Sequence, residues 1–274
     1  MSKKVVVMGS FDNLRSRNVR FLEQASKIGE LQVLLQSDQT IRNLEGREPD
    51  YPQEERLYLV QAIRYVAQVT LVNRDFNRDT LPQVDEYHPD IWIVDEKVDT
   101  NEKRSYAELN GLAYQVLTHT DLQGFSILEY TNSNHPPARK KVLVTGSYDW
   151  FHSGHVRFFE ETSRLGDLYV VVGHDENIRL LKGEGHPMFS QYERRYMVAA
   201  IRFVKQALIS TGHGWMDAEP EINNIKPDIY AVNEDGDKPE KRAFCQTHGI
   251  DYIVLKRTPK EGLPHRESTV LRGF

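Results

Sequence analysis

Cysteine is nearly absent: Cys245 is the single thiol in 274 residues. One thiol cannot close an intramolecular disulfide, so no covalent staple holds the fold, and the composition fits a reducing compartment. Long apolar runs are missing too. No stretch approaches the roughly 18 to 20 apolar residues that would cross a bilayer. The apolar run Val5 to Met8 near the amino terminus is too short for the core of a secretory signal. These absences point to a cytoplasmic protein with no membrane span. Nor is there an excess of positive charge: 35 Lys and Arg face 40 Asp and Glu, a net charge of -5. That balance argues against nucleic acid as the main partner, while leaving room for a local basic pocket.

What remains is an ordinary globular composition, 39% hydrophobic and 27% charged, long enough for one large domain or two medium ones. Self-similarity decides for two. Lys4-Val-Val-Val-Met-Gly-Ser-Phe-Asp12 reappears as Lys141-Val-Leu-Val-Thr-Gly-Ser-Tyr-Asp149, and Val19-Arg-Phe-Leu-Glu23 as Val156-Arg-Phe-Phe-Glu160. Ala62-Ile-Arg-Tyr-Val66 matches Ala200-Ile-Arg-Phe-Val204, and Pro89-Asp-Ile-Trp-Ile-Val94 matches Pro227-Asp-Ile-Tyr-Ala-Val232. A whole domain is therefore duplicated in tandem. The expected boundaries are 1–130 for the first domain, 131–140 for a polar, proline-bearing linker, and 141–274 for the second.

Within each copy, short β-branched runs alternate with amphipathic stretches. In the second copy strands are expected near 141–145, 168–173, 205–210, 228–232 and 251–255, and helices near 154–165, 175–181, 190–203, 238–247 and 267–273. Runs such as Leu168-Tyr-Val-Val-Val172 lack polar alternation, as a strand covered on both faces should. The pattern predicts two tandem Rossmann-like α/β domains, each a doubly wound parallel sheet with its ligand at the carboxyl ends of the strands.

The chemistry concentrates between Leu143 and His155, where a strand breaks at Gly146 and meets His152-Ser-Gly-His155 before a helix. A helix start offers unpaired N–H groups and a positive dipole end, so an anion over Gly154 and His155 is favoured, with two imidazoles added to it. Alternatives stand beside this reading: two histidines three apart also suit a metal pair or a plain surface. Asp149 suits either the nucleotide or turn chemistry, and Tyr148, Trp150 and Phe151 suit packing better than base stacking.

These residues resemble the HxGH nucleotidyltransferase superfamily. The tail Arg257-Thr258 to Ser268-Thr269 is similar to the RTxGxST element of its cytidylyltransferases, which act on glycerol phosphate, phosphocholine and phosphoethanolamine; the tandem copies resemble the ethanolamine-phosphate enzyme. The resemblance implies catalytic roles for His152, His155 and Lys182, the lysine neutralising the phosphate of the second substrate. It implies nucleotide contacts by Gly146, Ser147, Tyr148, Asp149, Gly154, Arg257, Thr258, Ser268 and Thr269. Mg²⁺ is expected with the triphosphate, held largely by phosphate oxygens and water; no protein metal ligand is assigned. On composition alone Lys182 is a solvated lysine, Ser268 a helix cap, and Arg257 either a triphosphate contact or a structural ion pair.

At the positions of His152, Gly154 and His155 the first copy carries Arg15, Arg17 and Asn18; Lys182 is matched by Glu45 and Arg257 by His119. The phosphate-binding set is lost while the framework persists, so residues 1–130 are expected to be a degenerate, inactive copy. The expected reaction is transfer of CMP from CTP to a small phosphorylated alcohol with release of pyrophosphate. One alternative is an ATP-using adenylyltransferase acting on a phosphosugar or cofactor precursor, since Leu181-Lys-Gly183 and Ser268-Thr-Val-Leu-Arg272 also resemble adenylyltransferases. A second is a nucleotide-binding sensor without turnover. Partnering is expected between the two domains of one chain, or in a homodimer.

Overall fold

The computed structural model describes residues 2–73, 77–82, 87–127 and 139–271, with the side chain of Thr269 excepted. Most of the expected linker, 131–138, lies outside them. The chain divides into two compact units, Met1–Gly124 and Phe125–Phe274. Phe125 belongs with the second because its ring lies 5.5 Å from that of Tyr196.

The first unit runs β1 (Lys4–Gly9), α1 (Ser16–Ser26), β2 (Glu30–Gln36), α2 (Asp38–Glu45), α3 (Gln53–Ala62), β3 (Gln68–Val72), β4 (Ile91–Asp95), α4 (Asn101–Leu109) and β5 (Ala113–Leu117). Its five strands are parallel in the order β3-β2-β1-β4-β5. Val5, Val6 and Val7 are fully buried, which is why β1 reads as an uninterrupted apolar run rather than an alternating one.

The second unit repeats the plan: β6 (Lys141–Gly146), α5 (Ser153–Ser163), β7 (Asp167–Val172), α6 (Asp175–Lys182), α7 (Gln191–Ala199), β8 (Val204–Ile209), α8 (Glu219–Ile225), β9 (Ile229–Asn233), α9 (Pro239–His248), β10 (Asp251–Leu255) and α10 (Ser268–Leu271). Its order is β10-β9-β6-β7-β8, the same topology read from the other edge. Even the register repeats, Val5 opposite Ile91 and Val142 opposite Ile229. In both units an aspartate just before the fourth strand accepts the N–H that opens the first, Asp90 from Lys4 and Asp228 from Lys141, each at 2.7 Å.

The expected doubly wound fold is thus present twice. Two local expectations differ. The helix expected over 190–203 stops at Ala199; Ala200 and Ile201 are buried and prolong the apolar pattern past the end of the helix. Helix α8 was not anticipated, because Glu219-Pro-Glu-Ile-Asn-Asn-Ile225 is short and offers few apolar positions to set a period. In each doubly wound sheet the strand order reverses between the first and fourth strands, and the crevice at their carboxyl ends is where this architecture receives ligands.

Candidate active site

Strand β6 delivers Gly146 to that crevice and the next residues turn sharply. Tyr148 adopts a left-handed backbone, φ 49°, unusual for an aromatic residue. Its ring folds back over the strand end, and a Cβ on Gly146 would lie 2.8 Å from Tyr148 Cζ. Glycine at 146 is therefore a packing requirement. Tyr148 and Phe151 then flank His155, with ring centroids 5.2 and 5.5 Å away, while Trp150 packs on Phe189 at 5.5 Å. These three aromatics hold the loop.

His152 caps α5. Its Nδ1 accepts the N–H of Gly154 at 3.1 Å, and its ring stacks on that of His155, centroids 3.9 Å apart. Burial, with Arg257, Arg266 and His265 adding positive potential, pushes the His152 pKa down to about 3. Burial and then His152, Arg257 and Lys182 hold His155 well below the usual histidine range. Both rings are neutral at pH 7. A neutral imidazole that accepts at Nδ1 carries its proton on Nε2, so His152 presents Nε2–H as a donor. Among the described residues that atom is buried without a partner, as is Nδ1 of His155.

This geometry alters the expected anion site. The N–H of Gly154 is given to His152 Nδ1, and the N–H of His155 to the His152 carbonyl at 3.0 Å. The free polar atoms at this helix start are imidazole nitrogens. Gly154 serves the same end: a Cβ there would meet His152 Cε1 at 2.9 Å.

Lys182, the last residue of α6, reaches across to donate to Ser147 Oγ at 2.9 Å. Burial, then Arg194, lowers its pKa. Asp149 is buried, and its Oδ1 accepts from the N–H groups of Met188 and Phe189 at 2.8 and 3.0 Å, so it fixes the segment before α7. Arg257 donates to Asp235 at 2.7 Å and to the carbonyl of Arg266 at 3.1 Å, the ion pair that composition had left open. Ser268 Oγ donates to the carbonyl of Trp150 at 3.3 Å. The carboxyl-terminal segment therefore closes over the histidine turn, leaving a small cavity of about 20 Å³ bordered by Gly154, Asn233, Arg257, Thr258, His265 and Arg266. The Thr269 side chain lies outside the described residues.

One organising residue escaped sequence reasoning. Arg194, on α7 and 1% exposed, donates to the carbonyls of Phe189, Ser147 and Gly173 at 2.9, 2.6 and 2.7 Å and to Asp175 at 2.7 Å. It ties the glycine turn to the starts of α6 and α7. Its counterpart Arg56 makes the same four bonds, to Tyr51, Ser10 and Gln36 carbonyls and to Asp38. This arginine stands in both copies, whereas His152, His155 and Lys182 do not.

In the first unit the corresponding crevice is differently wired. Arg17 Nη2 forms a forked pair with Asp95 at 2.9 and 3.0 Å, and its Nη1 lies 3.2 Å from His119 Nδ1. Glu45 pairs with Arg47 at 2.8 Å, which also reaches Asp12. Among the described residues, no group of three His, Cys, Asp or Glu side chains is arranged to hold a metal ion.

The cytidylyltransferase-like family model matches this chain twice, over residues 6–133 and 143–269. FAD synthase of Ferroglobus placidus is 35% identical over 125 residues, 44% of this chain and 78% of that protein. FAD synthase of Thermococcus kodakarensis is 39% identical over 123 residues, 43% of this chain and 80% of that protein. The bifunctional protein HldE of Campylobacter jejuni subsp. doylei is 34% identical over 98 residues, 35% of this chain and 21% of that protein. Among solved structures, a lipopolysaccharide core biosynthesis protein from Thermoplasma volcanium GSS1 is similar at 24% identity over 45% of this chain and 100% of that one, with a TM-score of 0.38. No helix among the described residues is long and apolar enough to cross a membrane.

Proposed function

The chain belongs to the cytidylyltransferase-like family and is a nucleotidyltransferase, and from that premise we propose that its second unit transfers AMP from ATP to a phosphorylated cofactor precursor, releasing pyrophosphate. The observation that carries the choice of ATP is the recurrence of one name, FAD synthase, among relatives 30 to 39% identical that are aligned over most of their own length. FAD is flavin mononucleotide joined to AMP through a phosphoanhydride bond, and the phosphate of flavin mononucleotide sits on a sugar alcohol. Its synthesis is adenylyl transfer to a phosphorylated alcohol. This reading is the ATP-using alternative expected from the sequence, with a cofactor precursor as acceptor, in place of CTP and a small phosphorylated alcohol.

The chemistry asks for positioning and charge stabilisation more than for covalent help. An acceptor phosphate oxygen bonds to the α-phosphorus as the bond to the β-phosphate oxygen breaks, and the electrons leave with pyrophosphate. His152, neutral and donating from Nε2, and His155 face the phosphates undergoing transfer. Neutral donors suit this task because burial keeps them from titrating. Lys182, held beside the glycine turn by Ser147, supplies the positive charge for the acceptor phosphate. Arg194 is a positioning residue that fixes the Ser147 carbonyl and so the turn. Mg²⁺ brought with the triphosphate would be held largely by phosphate oxygens and water and would supply charge neutralisation, since the buried Asp149 carboxylate already serves two backbone N–H groups. In the first unit the cationic groups are paired internally, which supports a copy without transfer chemistry.

The test is melting temperature of the full chain with ATP, CTP, GTP or UTP plus Mg²⁺, followed by pyrophosphate release with flavin mononucleotide and with glycerol phosphate. A ligand at 100 times its Kd adds about 2.7 kcal/mol. A selective shift with ATP and turnover with flavin mononucleotide are expected. A selective shift with CTP, or turnover with glycerol phosphate alone, returns the assignment to a cytidylyltransferase, which the family match and the Arg257–Thr258 tail would then support.

A further inference from the structure

The first unit has lost the histidines, yet it keeps a cavity of about 560 Å³, within the range of roughly 300 to 1,000 Å³ usual for small-molecule sites. The cavity lies at the carboxyl ends of β1 and β4, where the strand order reverses. Its lining combines an apolar set, Met8, Phe11, Phe21, Trp92 and Val94, with charged residues that include Arg17 and Glu45.

Two buried N–H donors on residues that line this cavity have no acceptor among the described residues: Nε1 of Trp92, a residue only 1% exposed, and Nε of Arg17. An unpaired buried donor is costly, so its persistence asks for an explanation. The second unit supplies a contrast. There Tyr230 occupies the Trp92 position and its hydroxyl is bonded to Thr145 Oγ1 at 2.8 Å. In the first unit Met8 stands in the place of Thr145, which leaves the indole N–H without an internal acceptor. Both guanidinium Nη atoms of Arg17 are engaged by Asp95 and His119, whereas its Nε is not.

We propose that the first unit is a binding domain whose cavity takes the heteroaromatic base of an unphosphorylated nucleoside. A base offers what the cavity lacks: a planar body for the apolar lining and carbonyl or ring-nitrogen acceptors for the two donors. A triphosphate is disfavoured because Arg17 is already neutralised by Asp95 and because Glu45 stands where the second unit has Lys182. The inference concerns the first unit alone and does not rest on the nucleotide used by the second.

The test is calorimetric titration of the full chain with adenosine, guanosine, cytidine and uridine, in the presence of saturating ATP or CTP with Mg²⁺ to occupy the second unit. One nucleoside should bind per chain under these conditions. Trp92→Phe, which keeps the ring and removes the donor, should weaken it about 3- to 10-fold, and Arg17→Met by a similar factor. If Trp92→Phe fails to fold by circular dichroism, Arg17→Met decides alone. The proposal is overturned if no nucleoside binds below about 1 mM, if the triphosphates displace it, or if the folded variants bind it with unchanged affinity. Pyrophosphate release by the second unit is a separate readout, so failure of either reading is recognisable.

Discussion

The two units share a sheet order, a register, an aspartate at the start of the first strand and a buried arginine with four bonds, but not the groups at the start of the first helix. In the second unit that helix begins with two stacked neutral histidines that keep unpaired nitrogens. In the first it begins with an arginine, and its second residue, Arg17, is bound into an ion pair with Asp95. The difference separates an arginine clamp common to both architectures from the imidazoles that carry the proposed chemistry of the second unit. The arginine in each unit donates to three backbone carbonyls and so ties separate segments together.

The comparison breaks most severely at the clamp. Arg194→Ala and Arg56→Ala should each destabilise their own unit by about 3 to 5 kcal/mol, since each leaves three carbonyls and a part-buried carboxylate without their donor; denaturant unfolding measures it. Equal costs would confirm a purely architectural role, whereas a loss confined to Arg194 would make the first unit's clamp dispensable. Next in size is His155→Ala, for which kcat should fall at least about 100-fold with modest loss of nucleotide affinity. Asn18→Ala at the matching position should leave steady-state rates unchanged. Gly154→Ala should lower kcat by a smaller factor, about 10-fold, because the new methyl displaces the His152 ring from its stack; near-normal kcat would show that the ring has room to yield.

The smallest expected effect is on pH dependence. His152, at about 3, and His155 have folded pKa values below the 6.5 of a free imidazole. Below pH 6.5 the unfolded chain therefore binds protons that the folded rings refuse, and stability declines from there as pH falls towards 3. A His152→Gln, His155→Gln double variant should lose less melting temperature between pH 7 and 4.5 than the parent protein. Parallel curves would remove the two rings from the linkage.

Much of this was legible in the chain. The alternation of apolar runs and amphipathic stretches fixed the α/β class, and β10 falls where the run Asp251 to Leu255 places it. The clearest local failure, the overrun of α7, arose because burial of Ala200 and Ile201 continues after the helix ends. His152 and His155 were legible as candidates because they follow a strand and a glycine turn and open a helix, whereas Lys182 was legible only through the family resemblance, since on composition alone it is a solvated lysine. Arg194 was not, since an arginine within Glu193-Arg-Arg-Tyr196 looks like a solvated residue until the fold surrounds it. Nor was the spending of the Gly154 N–H on His152, which depends on a side-chain rotamer.

The sequence by itself determined the duplication, the class of each unit and the absence of the two histidines and the lysine from the first copy. These are written in short stretches of chain, where spacing sets which face a residue takes. Only the tertiary structure decided that Arg194 reaches a carbonyl 47 positions away, that burial holds both imidazoles below the usual histidine range, and that the first unit has a cavity with two donors unsatisfied among the described residues. Those properties come from burial and from pairing between distant segments, where the energy of a polar atom is set by whatever the whole fold packs against it.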